Sequence, residues 1–229
     1  SKEQKEAVKS VFDNKVSIIT GGPGTGKTTI LKAILKMLKM LYGDEAIISL
    51  CAPTGRASKR MNYITGKEAT TIHRLLKWDL DTNQFGKNFL DPVYGDILII
   101  DEFSMVDISL LYHLLDATTN FKQVIFIGDE EQLPPVSPGN VLKELVDMRF
   151  AFTHTLKDIY RQDEDSGIIP LSYNVRQGTL EKENLNKNDV KFFPGNSELI
   201  KNNIITFFYD YGFHNSPLYV KYCIFYFKL

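Results

Sequence analysis

Four apolar runs divide the chain: "KVSIIT" (15–20), "EAIISLCAPT" (45–54), "DILIIDE" (96–102) and "KQVIFIGD" (122–129). Each is short, rich in β-branched residues and apolar at consecutive positions. Those are the marks of strands covered on both faces in a parallel sheet. Between them the period changes. "GKTTILKAILKMLKMLYG" (26–43) repeats apolar residues at helical spacing and stops at Gly43, "GRASKRM" (55–61) predicts a short basic helix, and "VDISLLYHLLDAT" (106–118) predicts another helix. A helical pattern also opens the chain. Strands alternating with helices of this length predict a doubly wound α/β fold, with ligands at the carboxyl ends of the strands.

Two regions depart from that pattern. Residues 77–95, "KWDLDTNQFGKNFLDPVYG", are polar, aromatic and turn-rich without a helical period, which suits a projecting hairpin with two short strands around Thr82–Gln84. After about Asp163 the pattern predicts a helix followed by a strand. The last stretch, 201–229, holds 10 Phe or Tyr in 29 residues with no amphipathic period, so it reads either as part of an unfinished domain or as foreign sequence.

Composition adds little. The chain has 229 residues, 43% hydrophobic and 24% charged, with a formal net charge of -1, so any basic surface for nucleic acid must be local. Two cysteines, Cys51 and Cys223, have no metal-site spacing and form no disulfide framework, which fits a reducing cytoplasm. No run approaches the roughly 20 apolar residues of a membrane span. The chain starts at Ser1 rather than Met and reads as cut from a longer one.

Candidate chemistry sits where the strands end. "GGPGTGKT" (21–28) satisfies G-x-x-x-x-G-K-[ST] between a strand and a helix, the context that a phosphate-binding loop requires. Gly22, Pro23, Gly24, Thr25 and Gly26 would turn backbone N–H groups toward phosphate, at a helix start whose dipole favours anions. Lys27 would bridge the terminal phosphates, and the Thr28 hydroxyl would hold Mg²⁺, with Thr29 beside it in the first turn. In "ILIIDEFS", Asp101 ends a buried strand, where a carboxylate needs a cation; Mg²⁺ reached through water is the natural one. Glu102 is placed to orient and deprotonate the attacking water. Asp101 as a helix cap and Glu102 as a solvated acid are the plainer alternatives. ATP and Mg²⁺ are therefore the expected cofactors. "FIGDEEQLPPV" (126–136) puts Gln132 on a stiff loop beyond the fourth strand, because Pro134 and Pro135 halt both helix and sheet. From there Gln132 would touch the γ-phosphate or the attacking water.

The order "APTGRASKRM", "TTIHRLL", "LIIDEFSMVD", "IGDEEQLPPVSPGN", "LKDIYRQ" after the phosphate loop resembles the superfamily 1 DNA helicases. The likeness is greatest to the RecD-like branch (exodeoxyribonuclease V α-subunit-like), over roughly residues 1–180. It implies a RecA-like P-loop NTPase fold and movement 5′ to 3′ on single-stranded DNA driven by ATP hydrolysis. Recombination or repair proteins would be its partners. It further implies that Gln4 reads adenine, and that Pro53, Thr54, Gly55 and Arg56 grip strand phosphates and sugars. Thr71 and His73 would contact DNA too, Pro135 would keep the Leu133–Val136 run against the strand, and Arg161 would reach the γ-phosphate. A pin hairpin that splits the duplex falls at 77–95, with Trp78, Phe85 or Phe89 available to stack on a base. Gln132 then becomes a link between nucleotide state and DNA grip.

On this likeness, residues 1–155 form the first motor domain and 156–229 the incomplete start of a second. A T-x-H-x-x-Q-G motif, expected in a full second domain, does not occur after residue 180, so unwinding by this chain alone is not expected. Two other readings compete. A ring-forming AAA-type ATPase would need a polar sensor ending the fourth strand, where Gly128-Asp129 stands. A nucleotide-dependent DNA-binding or partner-docking module would show no turnover.

Overall fold

In the computed structural model, which describes residues 1–43, 45–158, 167–179 and 190, all four apolar runs become strands of one sheet. They are β1 (Val16–Gly21), β2 (Ile48–Ala52), β6 (Ile97–Ile100) and β7 (Gln123–Gly128). Two strands lacking an apolar run join them: β3 (Ala69–Thr71) and β8 (Phe152–Leu156). The sheet is parallel throughout, in the order β3-β2-β6-β7-β1-β8. Among the described residues β3 and β8 are its end strands, where polar residues are tolerated; β8 reads "FTHTL".

Side chains alternate between the two faces, as the period of two requires. Ile19, Leu50, Ile97, Ile99, Ile125 and Ile127 pack under α1 (Lys2–Asp13), α2 (Lys27–Tyr42) and α3 (Gly55–Thr65). Ile18, Cys51, Leu98, Ile100 and Phe126 face the opposite side. That side is covered by α4 (Ile72–Leu75), the short 3₁₀ turn Phe103–Met105, α5 (Ile108–Ala117) and α6 (Val141–Asp147). The strands between β3 and β8 are buried on both faces, which explains why they show as continuous apolar runs. Burial raises the Cys51 thiol pKa far above its ordinary value, leaving it an inert core group.

Helix limits follow local chemistry. α2 begins after Gly26 (φ 91) and ends at Gly43 (φ 67), both in the left-handed region where glycine is favoured. Asp107 caps α5 by accepting the Leu110 N–H at 2.8 Å. Between Asp79 and Gln84 the chain turns as a hairpin, β4 (Trp78–Asp79) paired antiparallel with β5 (Gln84–Phe85), as the loss of helical period implied.

The chain divides into two units, Ser1–Arg161 and Gln162–Leu229. Within the second, the helix expected after Asp163 is α7 (Ile168–Gln177). Pro170 is tolerated there because first-turn N–H groups have no partner inside the helix. The strand expected next, the aromatic stretch 201–229 and Arg161 lie outside the described residues. Among the described residues no helix is long and apolar enough to cross a membrane.

Candidate functional site

Parallel strands bring their carboxyl ends to one edge of the sheet, and the candidate residues collect there. β7 lies between β1 and β6, with Thr20 opposite Gly128 and Phe126 opposite Ile100. The phosphate loop after β1 and the acids after β6 are therefore two strand spacings apart, about 10 Å. The loop carrying Gln132 leaves β7 between them. Gly128 leaves little room for a side chain: a Cβ would sit 2.6 Å from Leu142 Cδ2 and 3.1 Å from the Ser104 nitrogen, so its neighbours would have to shift.

The loop itself is pre-shaped. Gly24 (φ 82) and Gly26 adopt positive φ, and the buried Thr25 donates its hydroxyl to the Gly22 carbonyl at 2.8 Å. Lys27 folds back over the loop, its Nζ donating to the carbonyl oxygens of Gly21 and, at 3.0 Å, Gly22. Thr28 is half-buried and Thr29 exposed in the first turn of α2; Gly22 is half-buried and Pro23 exposed. Gln4 approaches from α1, its amide Nε2 donating to the Thr25 carbonyl at 3.4 Å, while Oε1 accepts from the Ser1 amino group at 3.1 Å. Next to it an apolar cavity of about 350 Å³ opens between α1 and α2, lined by Gln4, Val8, Thr29, Ile30, Ala33 and Met37 among others.

Asp101 continues the β2–β6 ladder, its N–H donating to the Cys51 carbonyl at 3.0 Å. Its carboxylate accepts the Glu102 N–H at 2.9 Å. Burial raises the Asp101 pKa above the usual carboxylate value, against the lowering effect of that hydrogen bond and the fields of Arg60 and Lys27; the Glu102 charge adds to the rise. A desolvated acid beside a hydroxyl-bearing helix start is an all-oxygen donor set that suits Mg²⁺. No group of three or more His, Cys, Asp or Glu among the described residues could hold a metal, so such an ion would take most of its ligands from phosphate and water. Glu102 adopts φ 53, uncommon for a residue with a side chain, and its carboxylate lies 3.9 Å from the Arg60 guanidinium.

At the end of β7, Asp129 is 1% exposed and organises the Gln132 loop. Its carboxylate accepts the Glu131 N–H at 3.2 Å and the Gln132 side-chain amide at 3.3 Å. Beyond it Pro135 is half-buried, while Leu133 and Val136 are almost wholly exposed. Sequence reasoning quoted Asp129 without assigning it this work. It also missed Arg60, one turn past Arg56 on a visibly basic helix. Glu3 was missed as well: its carboxylate accepts the N–H groups of Lys157 (2.9 Å) and Asp158 (3.2 Å), where the chain leaves β8.

The candidate strand-contacting residues gather on the β2–β3 side, beyond β6. Thr54 caps α3 by accepting the Ala57 N–H at 3.2 Å, and Thr71, opposite Ala52 in the ladder, caps α4 by accepting the Arg74 N–H at 3.1 Å. Accepting an N–H leaves each hydroxyl hydrogen available as a donor. Pro53 is half-buried; Gly55, Arg56 and His73 are exposed.

The hairpin aromatics are arranged differently from free stacking surfaces. Trp78 and Phe85 pack edge-on at 4.6 Å, His73 lies 5.9 and 5.6 Å from them, and His113 of α5 closes on Phe85 at 4.7 Å. Nothing in the linear sequence joins His113 to this group. Asp79 holds the turn, its carboxylate accepting the N–H groups of Asp81 (2.8 Å) and Thr82 (3.3 Å), which lowers its pKa. The large apolar side chain at the tip is Leu80, 82% exposed. Phe89 is exposed outside the two strands.

A parallel sheet in this order, with a glycine loop between β1 and α2 and paired acids after β6, defines a RecA-like P-loop NTPase fold. A family profile described as an AAA domain matches residues 4–138, and the chain belongs to that family. It is 38% identical over 178 residues to the ATP-dependent RecD2 DNA helicase of Deinococcus radiodurans, covering 78% of this chain and 24% of that protein. It is also 38% identical over 161 residues to the RecBCD enzyme subunit RecD of Buchnera aphidicola, covering 62% and 26%. The Pif1 helicase of Candida albicans shares the fold with a TM-score of 0.63 and 27% identity, over 81% of this chain and 46% of that one. The chain thus spans about a quarter of the curated relatives' length. The RecD-like resemblance read from the motif order is what these relatives show. The ring-forming alternative gains nothing from the profile's name, since β7 ends in Gly128 with Asp129 following.

Proposed function

We propose that this chain is the ATP-hydrolysing first motor domain of a RecD-type DNA helicase. The observation that carries the reading is the meeting of three groups at one sheet edge. The phosphate loop, the Asp101–Glu102 pair and Gln132 stand at the ends of adjacent strands, and the Thr54 and Thr71 helix starts follow on the next two. Lys27 and the loop N–H groups bind the β and γ phosphates, and Gln4 with the neighbouring apolar cavity takes the adenine. Thr28 and Asp101 would hold Mg²⁺, which would supply charge to offset that developing on the phosphates. Glu102 orients water and accepts its proton, Gln132 senses the γ-phosphate, and Arg161 supplies the second cation. The RecD2 DNA helicase and the RecBCD subunit among the relatives support DNA as the track; the motif resemblance supplies the rest of the reading, 5′ to 3′ movement on single-stranded DNA at a fork with partners in recombination or repair.

The deciding measurement is ATP hydrolysis by the full-length protein with and without single-stranded DNA. DNA-stimulated turnover is expected. Gln132→Ala should cut the stimulation severalfold while nucleotide affinity stays within about twofold, because Lys27 and the loop N–H groups carry phosphate binding and the Gln132 amide, held by Asp129, senses it. Unchanged stimulation in that variant would remove the coupling role; nucleotide binding without any turnover would favour the binding-module alternative.

For the hairpin, Leu80 is the expected wedge and the Trp78–Phe85 pair its support. Leu80→Ala should slow fork unwinding on the order of tenfold, since prising a base step apart takes a few kcal/mol. Single-stranded DNA-stimulated hydrolysis should stay unaffected. Equal loss of both activities would assign Leu80 to packing.

A further inference from the structure

We infer that Arg60 is a strand-responsive latch on Glu102: without DNA it holds the carboxylate toward α3, and a strand phosphate draws it away. The inference rests on the reading above and adds a residue that links its two halves. Arg60 lies on α3, one turn beyond Arg56, and helix side chains lean toward the N-terminus. Its guanidinium therefore rises to the level of the strand ends, where Nη1 comes 3.9 Å from Glu102 Oε1.

Three observations make this more than a surface ion pair. Glu102 is held in a left-handed backbone conformation at the head of the 3₁₀ turn, so its side chain leaves the strand end in a constrained direction. Glu102 directly follows Asp101 at the end of β6, so a guanidinium beside Glu102 stands at the acid pair while its own side chain stays reachable from solvent. The helix that carries it begins at Thr54, has no acid in its first turn, and exposes Arg56 and Lys59 beside Arg60. A phosphate lying across that helix start meets all three cations.

The contact is also weak enough to be switched. The Arg60 side chain is 54% exposed and the separation long, so the pair is readily exchanged. A strand phosphate offers a guanidinium two parallel charge-assisted hydrogen bonds, a stronger partner than a carboxylate at 3.9 Å. Arg60 would then leave Glu102 free to turn toward water between the phosphate loop and Asp101. Arg60 is a positioning residue in this scheme and touches no reacting atom.

The test is steady-state hydrolysis by the full-length protein, without DNA and with saturating oligo-dT, for wild type, Arg60→Gln, Arg60→Lys and Lys36→Gln. Arg60→Gln should raise the DNA-free kcat about two- to fivefold, the scale of an exposed ion pair. Its DNA-saturated kcat should change less than about twofold, so the stimulation ratio falls. Arg60→Lys should keep most of the ratio, and Lys36→Gln, on the exposed face of α2, should leave both rates unchanged. Equal lowering of both rates in Arg60→Gln, or an unchanged ratio, would overturn the latch. A wild-type protein whose hydrolysis ignores DNA would overturn the underlying helicase reading as well, so the two failures are distinguishable.

Discussion

Lys27→Ala is expected to abolish measurable ATP hydrolysis and to weaken nucleotide binding between about tenfold and a hundredfold. The range follows from losing hydrogen bonds to a charged group, at about 1.5–3 kcal/mol. The Lys27 ammonium donates to the carbonyls of Gly21 and Gly22. Those are neutral acceptors, which a phosphate outcompetes by charge. Binding therefore exchanges two internal bonds for stronger ones, and the loop is already in the shape that receives the ligand. Removing the ammonium leaves the glycine conformations and the start of α2 intact, so melting and circular dichroism should match the wild type. The larger loss falls on turnover, because charge develops on the terminal phosphate as it departs. Titration with a fluorescent ATP analogue, alongside a phosphate-release assay, separates the two effects. Wild-type turnover by Lys27→Ala would mean that this loop is not the hydrolytic site.

Legibility in the sequence followed burial. The strands β1, β2, β6 and β7 are covered on both faces and wrote themselves as apolar runs, whereas β8 is a terminal strand whose "FTHTL" is mostly polar and β3 is only three residues long. The phosphate loop, the acids after β6 and the glutamine loop were legible because each combines a motif with a strand end. What stayed hidden depends on contacts between distant parts of the chain. "GRASKRM" offers Arg56, Lys59 and Arg60 as equals, and only the placement of α3 against the sheet brings Arg60 to Glu102. The hairpin was located by its broken period, yet its aromatics looked free until α5 supplied His113 against Phe85. Asp129 stood in plain view as one acid of three; burial between β1 and β6 distinguishes it from Glu130 and Glu131. Gln4 is a helix residue by pattern, and its tie to Thr25 appears only once α1 packs beside the loop.

Glu102→Gln should stop chemistry while leaving the bound states in place, with kcat lower by about 10²–10⁴, the usual worth of a positioned proton acceptor. The substitution is nearly isosteric and keeps the same backbone demand at φ 53, so the 3₁₀ turn and the core beneath it, Phe103 included, should be undisturbed. The neighbouring acid makes the comparison informative. Asp101 is half-buried at a strand end, where a cation is needed, so Asp101→Asn should raise the Mg²⁺ concentration required for half-maximal hydrolysis. Glu102→Gln should leave that concentration unchanged, because its carboxylate is paired with Arg60 and is assigned to water rather than to the cation. ATP affinity, single-stranded DNA affinity and single-turnover hydrolysis, measured on both variants with Mg²⁺ varied, resolve the pair. If Glu102→Gln shifted the Mg²⁺ requirement and Asp101→Asn did not, the two roles would be exchanged. If Glu102→Gln hydrolysed within tenfold of wild type, the proton would have another acceptor, and Asp129, buried one strand away at the end of β7, is the carboxylate placed to be it.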